Sequence, residues 1–101
     1  MKPELLINLP GAELVLGGLQ DLALGKTHTI EALLVAIGSP RLRRLGFDLP
    51  YSFPEMPEHE LYLKLGVEHG LAAHSQYNAL VRRLVSFERA LDGRLRRDRA
   101  D

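Results

Sequence analysis

Apolar residues recur at alternating spacings of four and three along the C-terminal part of the chain. This spacing keeps them on one face of an α-helix and is typical of a helix-packing seam. We therefore predict a long helix from about Leu71 or Ser75 to Arg97. The predicted seam consists of Ala73, Tyr77, Leu80, Leu84, Phe87 and Leu91. A helix of about 25 residues spans about 37 Å, against an expected domain diameter of about 33 Å. The pattern leaves open whether the last turns fold back or protrude.

Shorter helices are expected before this long one. A first helix begins near Pro10, because proline is tolerated at the first helical position, and it ends at Gly25. A second helix runs from about Thr29 to Ile37, with Thr27 or Thr29 as its cap. Its buried stripe at helical spacing is Ile30, Leu33, Leu34 and Ile37.

Glycine and proline divide the middle of the chain. Gly38 is expected to end the second helix, and Ser39-Pro40 is typical of a new N-cap and first helical position. This predicts a short separate helix over 41–45. A further helix is expected over 57–69, with Leu61 and Leu65 on its buried side.

Two segments do not fit a helix. Residues 2–9 are the only plausible strand or extended arm, laid on the core or paired with another copy of the chain. Residues 47–57 contain three prolines, whose spacing excludes a helix. The aromatic residues Phe47, Tyr51 and Phe53 are expected to anchor this loop across the core. A binding loop or lid is the functional alternative for so long an irregular segment.

Gly17 and Gly18 lie inside the first predicted helix. Each costs about 1 kcal/mol relative to alanine in a helix interior. We interpret them as a smooth patch against which another helix packs closely. A break between two short helices, or the close approach of a ligand, is the alternative.

Composition supports a helical fold class. The chain has 101 residues, with 21 Leu against 5 Val, 3 Ile and 2 Thr, and leucine favours helices whereas β-branched residues favour strands. We predict a single domain over 1–101: an all-α, compact bundle of four to five helices with a long C-terminal helix and the 47–57 loop at one end. Residues 1–9 would form an N-terminal arm, and residues 98–101 a frayed tail.

No arrangement of residues with catalytic chemistry is apparent. The chain lacks cysteine, which excludes a disulfide framework and thiolate chemistry. The zinc motif His-Glu-x-x-His is absent, and Leu24-Gly25-Lys26-Thr27 lacks the earlier glycine of a phosphate-binding loop. A metal site that uses His59 and His69 is the remaining alternative. We therefore expect no cofactor and no catalytic residue, and favour a protein that is not an enzyme.

Nucleic-acid binding is a second alternative. Residues 29–45 have the outline of a degenerate helix-turn-helix, with Arg41, Arg43 and Arg44 at the start of the second helix. Against it, that helix would be only about six residues long. The chain also has 13 basic and 13 acidic residues and a formal net charge of zero, whereas DNA-binding proteins usually have a basic footprint.

The favoured hypothesis is a protein-interaction or assembly module that self-associates. Its interface would be the seam on the long helix: Tyr77, Leu80, Leu84, Phe87 and Leu91. The partner would be a second copy, in a homodimer, or another helical protein. No apolar run approaches the ~18 residues of a membrane helix, and the N-terminus lacks the pattern of a secretion signal. We therefore expect a cytoplasmic protein without a membrane partner.

Overall fold

The helices account for most of the chain. The structure is a computed structural model that describes residues 3–6, 8–50 and 52–100, with the side chains of residues 3, 4 and 100 left aside. The α-helices are α1 (Ala12–Ala23), α2 (Ile30–Arg44), α3 (Pro57–His69) and α4 (Ala73–Ala100), and short 3₁₀ helices cover Pro3–Leu6 and Gly70–Ala72. The described ranges contain no β-strand, which confirms the predicted all-α class.

α4 is the longest element; α3 and α2 pack against it, whereas α1 packs mainly on α2. Its 28 residues correspond to about 42 Å of helix, and the molecule measures 48 × 26 × 18 Å. Leu84, Phe87 and Leu91 on α4 are buried against core residues of α1, α2 and α3. The helix continues through Ala100, so the backbone at 98–100 is helical. Asp101 lies outside the described residues.

α2 is one continuous helix where the sequence predicts two. Thr29 caps it as expected, because its Oγ1 accepts a hydrogen bond from the backbone N–H of Ala32 at 3.1 Å. Pro40 lies inside the helix, so the predicted end at Gly38 and the separate helix at 41–45 are wrong. The separate helix expected at 41–45 is part of α2, so the five helices set out from the sequence are one too many. Buried residues on both sides of the proline, including Leu42, outweigh the local cost of proline in a helix interior.

Gly18 lies where α1 crosses α2. A Cβ atom built there would overlap the carbonyl oxygen of Glu31 and a methyl group of Val35. The corresponding position at Gly17 is open, with its nearest neighbour at 3.7 Å. The predicted close packing of a helix is therefore confirmed at Gly18, and α1 is a single helix through this point.

The N-terminal segment lies on α4. Residues 3–6 form a 3₁₀ helix where a strand or extended arm was expected; Lys2 and Ile7 of that segment are outside the described residues. The backbone carbonyl of Leu5 accepts a hydrogen bond from Arg94 Nη1 at 3.1 Å. Leu9 is buried in the core. The segment is thus laid on the core, as one of the sequence interpretations expected.

The loop between α2 and α3 is anchored by its apolar side chains. Leu49 is buried, and the ring of Phe47 packs against that of Phe87 with centroids 6.1 Å apart. Arg43 donates to the carbonyl of Pro50, and its guanidinium lies 5.6 Å from the ring centroid of Phe53. The predicted anchoring is confirmed for Phe47 and Phe53. The third aromatic, Tyr51, lies outside the described residues.

Candidate functional site

α3 carries apolar side chains on two opposite sides. Its sequence places leucine or valine at every second position from Leu61 to Val67, and residues two apart on a helix are separated by about 200°. Leu61 and Leu65 are buried in the core, whereas Leu63 and Val67 are 55% and 88% exposed. α3 therefore presents to solvent an apolar side that no described part of the chain covers.

The exposed side of α3 is bordered by charge. Leu63 and Val67 line a shallow groove of about 370 Å³ together with Glu60, Lys64 and Glu68; we refer to these five residues as the α3 face. The charged residues follow one another at four-residue spacing and so form a row beside the apolar pair. Further exposed apolar side chains lie just before and just after the helix, at Met56 and Leu71. Exposed apolar residues therefore also flank the helix in sequence, outside the α3 face.

The row of charges also contacts the α1–α2 loop. His28 Nδ1 lies 2.5 Å from Glu60 Oε2. This contact fixes one end of the row relative to the body of the protein, while Lys64 and Glu68 have no ion pair with a carboxylate or cation of another described helix.

The seam predicted as an interface lies within the core of its own chain. Leu84, Phe87 and Leu91 are buried, and Tyr77 and Leu80 are partly buried against the same core. Tyr77 contacts Tyr62 of α3, with ring centroids 5.9 Å apart. Burial, followed by the negative charge of Glu58, raises the pKa of the Tyr77 phenol. In this structure Leu84, Phe87 and Leu91 of the seam pack against their own chain, and Tyr77 and Leu80 stay partly exposed.

The predicted helix-turn-helix is wrong, because residues 30–44 form one helix without a turn. The arginines of that proposal are divided between two roles. Arg43 anchors the α2–α3 loop through Pro50 and Phe53. Arg41 and Arg44 instead border a groove between α2 and α4. The basic cluster expected at the start of a recognition helix therefore lies in the last turn of α2, where it complements the helix dipole.

His59 and His69 do not meet. Both are exposed on α3, and ten residues of helix separate them by about 15 Å along the axis. Within the described ranges, no group of three or more His, Asp or Glu side chains could hold a metal ion. The structure therefore does not place these two histidines close enough to bind one metal ion together.

A second concave surface, which we call the Glu88 groove, lies between α2 and α4. It has a volume of about 270 Å³ and is lined by Ile37, Gly38, Pro40, Arg41, Arg44, Val81, Leu84, Val85 and Glu88. Glu88 is only 4% exposed, and its Oε2 atom has no hydrogen-bond partner among the described residues. Burial raises the pKa of the Glu88 carboxyl, and the positive charges of Arg41 and Arg44 partly offset this.

Sequence analysis did not identify the α3 face or Glu88. The signal for the α3 face was the alternation of apolar residues from Leu61 to Val67. Residues at this spacing lie on opposite sides of a helix, so they cannot all be buried on one side. The signal for Glu88 was its position four residues after Leu84 and seven after Val81, which places a carboxylate on an apolar side of the helix.

No helix in the part of the chain that the structure describes is long and apolar enough to span a bilayer. Comparisons with protein-family models, with curated proteins and with solved structures find no match to this chain. The functional argument therefore depends on the α3 face and the Glu88 groove themselves.

Proposed function

We propose that this protein is a non-enzymatic assembly module that self-associates through the α3 face. The observation that carries the proposal is the exposure of Leu63 and Val67 on the side of α3 opposite its buried leucines. Apolar side chains exposed singly are ordinary on protein surfaces, whereas a contiguous apolar patch rimmed by charge marks an interaction site. The partner that we infer is a second copy of the chain.

The order of charges along α3 favours a second copy in the antiparallel orientation. In an antiparallel pair of α3 helices, Leu63 of one copy faces Val67 of the other, and the same flank of each helix meets its counterpart. Lys64 then lies only about 3 Å along the axis from Glu68 of the second copy. Two such ion pairs form around the two-fold axis. The two Lys64 side chains have the same axial offset, as do Glu60 and Glu68 of the second copy, so these like charges reduce the net gain.

A parallel pairing would not bring the two rows of charges together. Its two-fold axis runs along the helices, so the row of one copy lies on the opposite side of the interface from the row of the other. Lys64 would then have no acidic partner in Glu68 of the second copy. The row Glu60, Lys64 and Glu68 therefore favours the antiparallel dimer.

The dimer is expected to be weak. Stable interfaces bury about 800 Å² per partner, and the α3 face offers one helix side with the flanking Met56 and Leu71. Exposed ion pairs add about 0.2–1 kcal/mol each. We expect a dissociation constant in the micromolar range, so that the dimer forms and dissociates with concentration.

The first test is the mass in solution across a concentration series, measured by sedimentation equilibrium. The wild-type chain is expected to move from monomer to dimer. Val67→Asp should remain monomeric at every concentration and stay folded, because Val67 is 88% exposed. Leu24→Asp is the matched control: it also places a carboxylate at an exposed apolar position, but outside the α3 face, and should dimerise normally.

Charge reversal tests the orientation. Lys64→Glu should weaken the dimer, since it places three glutamates in one row. Lys64→Glu combined with Glu68→Lys should restore it, because the ion pairs are re-formed with exchanged partners. A wild-type chain that stays monomeric at the highest concentration, or a Val67→Asp variant that dimerises as the wild type does, would refute the proposal.

A further inference from the structure

The Glu88 groove contains a carboxylate that packing alone does not explain. Glu88 is 4% exposed, and its Oε2 atom is unpaired among the described residues. A buried carboxylate is costly unless it receives hydrogen bonds or an opposite charge. A leucine or methionine would fill the same space without that cost. The packing of the described residues therefore does not account for a carboxylate at this position.

The wall of the groove at Gly38 has little room for a larger side chain. Gly38 forms part of its wall, and a Cβ atom there would lie 3.0 Å from a methyl group of Leu84 and 3.2 Å from Glu88 Oε2. Any larger residue would crowd the carboxylate. Ile37, Val81 and Val85 supply an aliphatic lining, so that the carboxylate is set among apolar walls.

Positive charge borders the same groove. Arg41 and Arg44 line it from α2, and their charges act on the Glu88 carboxyl. Neither forms an ion pair with Glu88 in the structure, and Arg44 is exposed. The groove thus combines one buried negative charge with two positive charges closer to solvent.

We propose that the Glu88 groove binds a small zwitterion with an aliphatic side chain, of the chemical class of the branched-chain amino acids. The ammonium group of the ligand binds the Glu88 carboxylate, and the carboxylate of the ligand binds Arg41 and Arg44. Its aliphatic side chain packs against Ile37, Val81 and Val85. Each group that the groove presents thereby receives a partner of matching chemistry. This site lies on α2 and α4 and is independent of the α3 face.

Three probe molecules test separately what the ammonium group and the carboxylate of the ligand contribute to binding. L-leucine carries all three features, 4-methylpentanoate lacks the ammonium group, and 3-methylbutylamine lacks the carboxylate. Binding is measured by titration of amide chemical shifts in the ¹⁵N-labelled protein, which localises the site. L-leucine is expected to shift residues of the groove, with a dissociation constant on the order of 1 mM or lower for so small a ligand. Each truncated probe should bind at least tenfold more weakly.

Substitutions of the charged residues in the groove test which group of the ligand each of them binds. Glu88→Gln keeps the shape of the side chain and should weaken L-leucine and 3-methylbutylamine at least tenfold, while 4-methylpentanoate is not weakened. Arg41→Gln with Arg44→Gln should weaken L-leucine and 4-methylpentanoate instead. Glu55→Gln, at an exposed carboxylate in the α2–α3 loop, is the control and should bind as the wild type does.

The proposal is overturned by any of three results. The first is the absence of groove shifts with 10 mM L-leucine. The second is equal binding of L-leucine and 4-methylpentanoate, which would mean that the ammonium group is not recognised. The third is unchanged L-leucine binding by Glu88→Gln. The same titrations on Val67→Asp separate this test from self-association. This variant is expected to be monomeric and should bind L-leucine as the wild type does.

Discussion

The hydroxyl group of Thr29 donates a hydrogen bond to the carboxylate of Asp21 at 2.7 Å, which ties the beginning of α2 to the last turn of α1. The same oxygen accepts from the backbone N–H of Ala32. One side chain therefore both caps a helix and fixes the turn between two helices. α2 also forms one wall of the Glu88 groove, so the stability of this junction matters for that site.

Replacement of Thr29 by valine removes both hydrogen bonds and keeps the shape of the side chain. We expect the free energy of unfolding to fall by about 1–2 kcal/mol, because the loss of an N-cap alone costs about 1 kcal/mol and Asp21 loses its partner. Chemical denaturation followed by circular dichroism measures the change. Thr29→Ser should retain most of the stability, and Thr27→Val should have little effect. Equal losses for Thr27→Val and Thr29→Val would contradict this assignment.

Gly17 and Gly18 provide a matched pair of positions one residue apart. Gly18→Ala should destabilise the protein by about 1–3 kcal/mol, the usual range for overpacking, because the new methyl group would overlap Glu31 and Val35. Gly17→Ala should be neutral or stabilising by up to about 1 kcal/mol, since alanine is the better helix former and the position is open. Thermal unfolding of the two variants under the same conditions tests the contrast. Similar melting temperatures for both would show that α1 and α2 are not in close contact at Gly18.

Much of the fold could be predicted from local sequence signals. The heptad spacing on α4, a threonine before α2 and the paired glycines of α1 are each visible as local patterns in the sequence. The prediction failed at Pro40, where tertiary burial overrides a local signal. Leu42, beyond the proline, is fully buried, and this packing holds the helix together across a residue that lacks a backbone donor.

The candidate sites were harder to predict, since a site is defined by what remains uncovered after folding. In the sequence alone, the seam on α4 and the apolar positions of α3 look equally able to bind a partner. Only the packing shows that Phe87 is covered by its own chain and that Val67 is not. The groove at Glu88 depends on the approach of α2 to α4 at Gly38, a contact between residues 50 positions apart in the chain.

The buried carboxyl of Glu88 predicts a pH-dependent stability. Burial raises its pKa in the folded protein, so the folded state binds this proton more tightly than the unfolded state does. The contribution of this group is therefore most favourable at pH values below the ordinary glutamate pKa. It is lost as the pH rises through the raised pKa.

Glu88→Gln removes this titration, and Glu88→Leu also removes the buried polar group. At neutral pH, Glu88→Leu should be more stable than the wild type by about 1–3 kcal/mol, the cost of an unsatisfied buried group. The advantage of Glu88→Gln over the wild type should shrink as the pH is lowered towards 4. Denaturant titrations at several pH values measure both effects. A constant difference between Glu88→Gln and the wild type across this range would mean that the carboxyl titrates as an exposed group does.

Arg43 is expected to control the order of the α2–α3 loop without determining global stability. Its guanidinium donates to the Pro50 carbonyl and lies over the Phe53 ring, and an accessible cation–π contact contributes about 0.5–1 kcal/mol. Arg43→Lys keeps the charge but loses the planar group that makes both contacts. Hydrogen exchange should become faster over residues 52–56, while the exchange of α4 amides stays unchanged. Arg89→Lys, at an exposed position on α4, is the control. If Arg43→Lys leaves loop exchange at the wild-type rate, the loop is held by Leu49 and Phe47 alone.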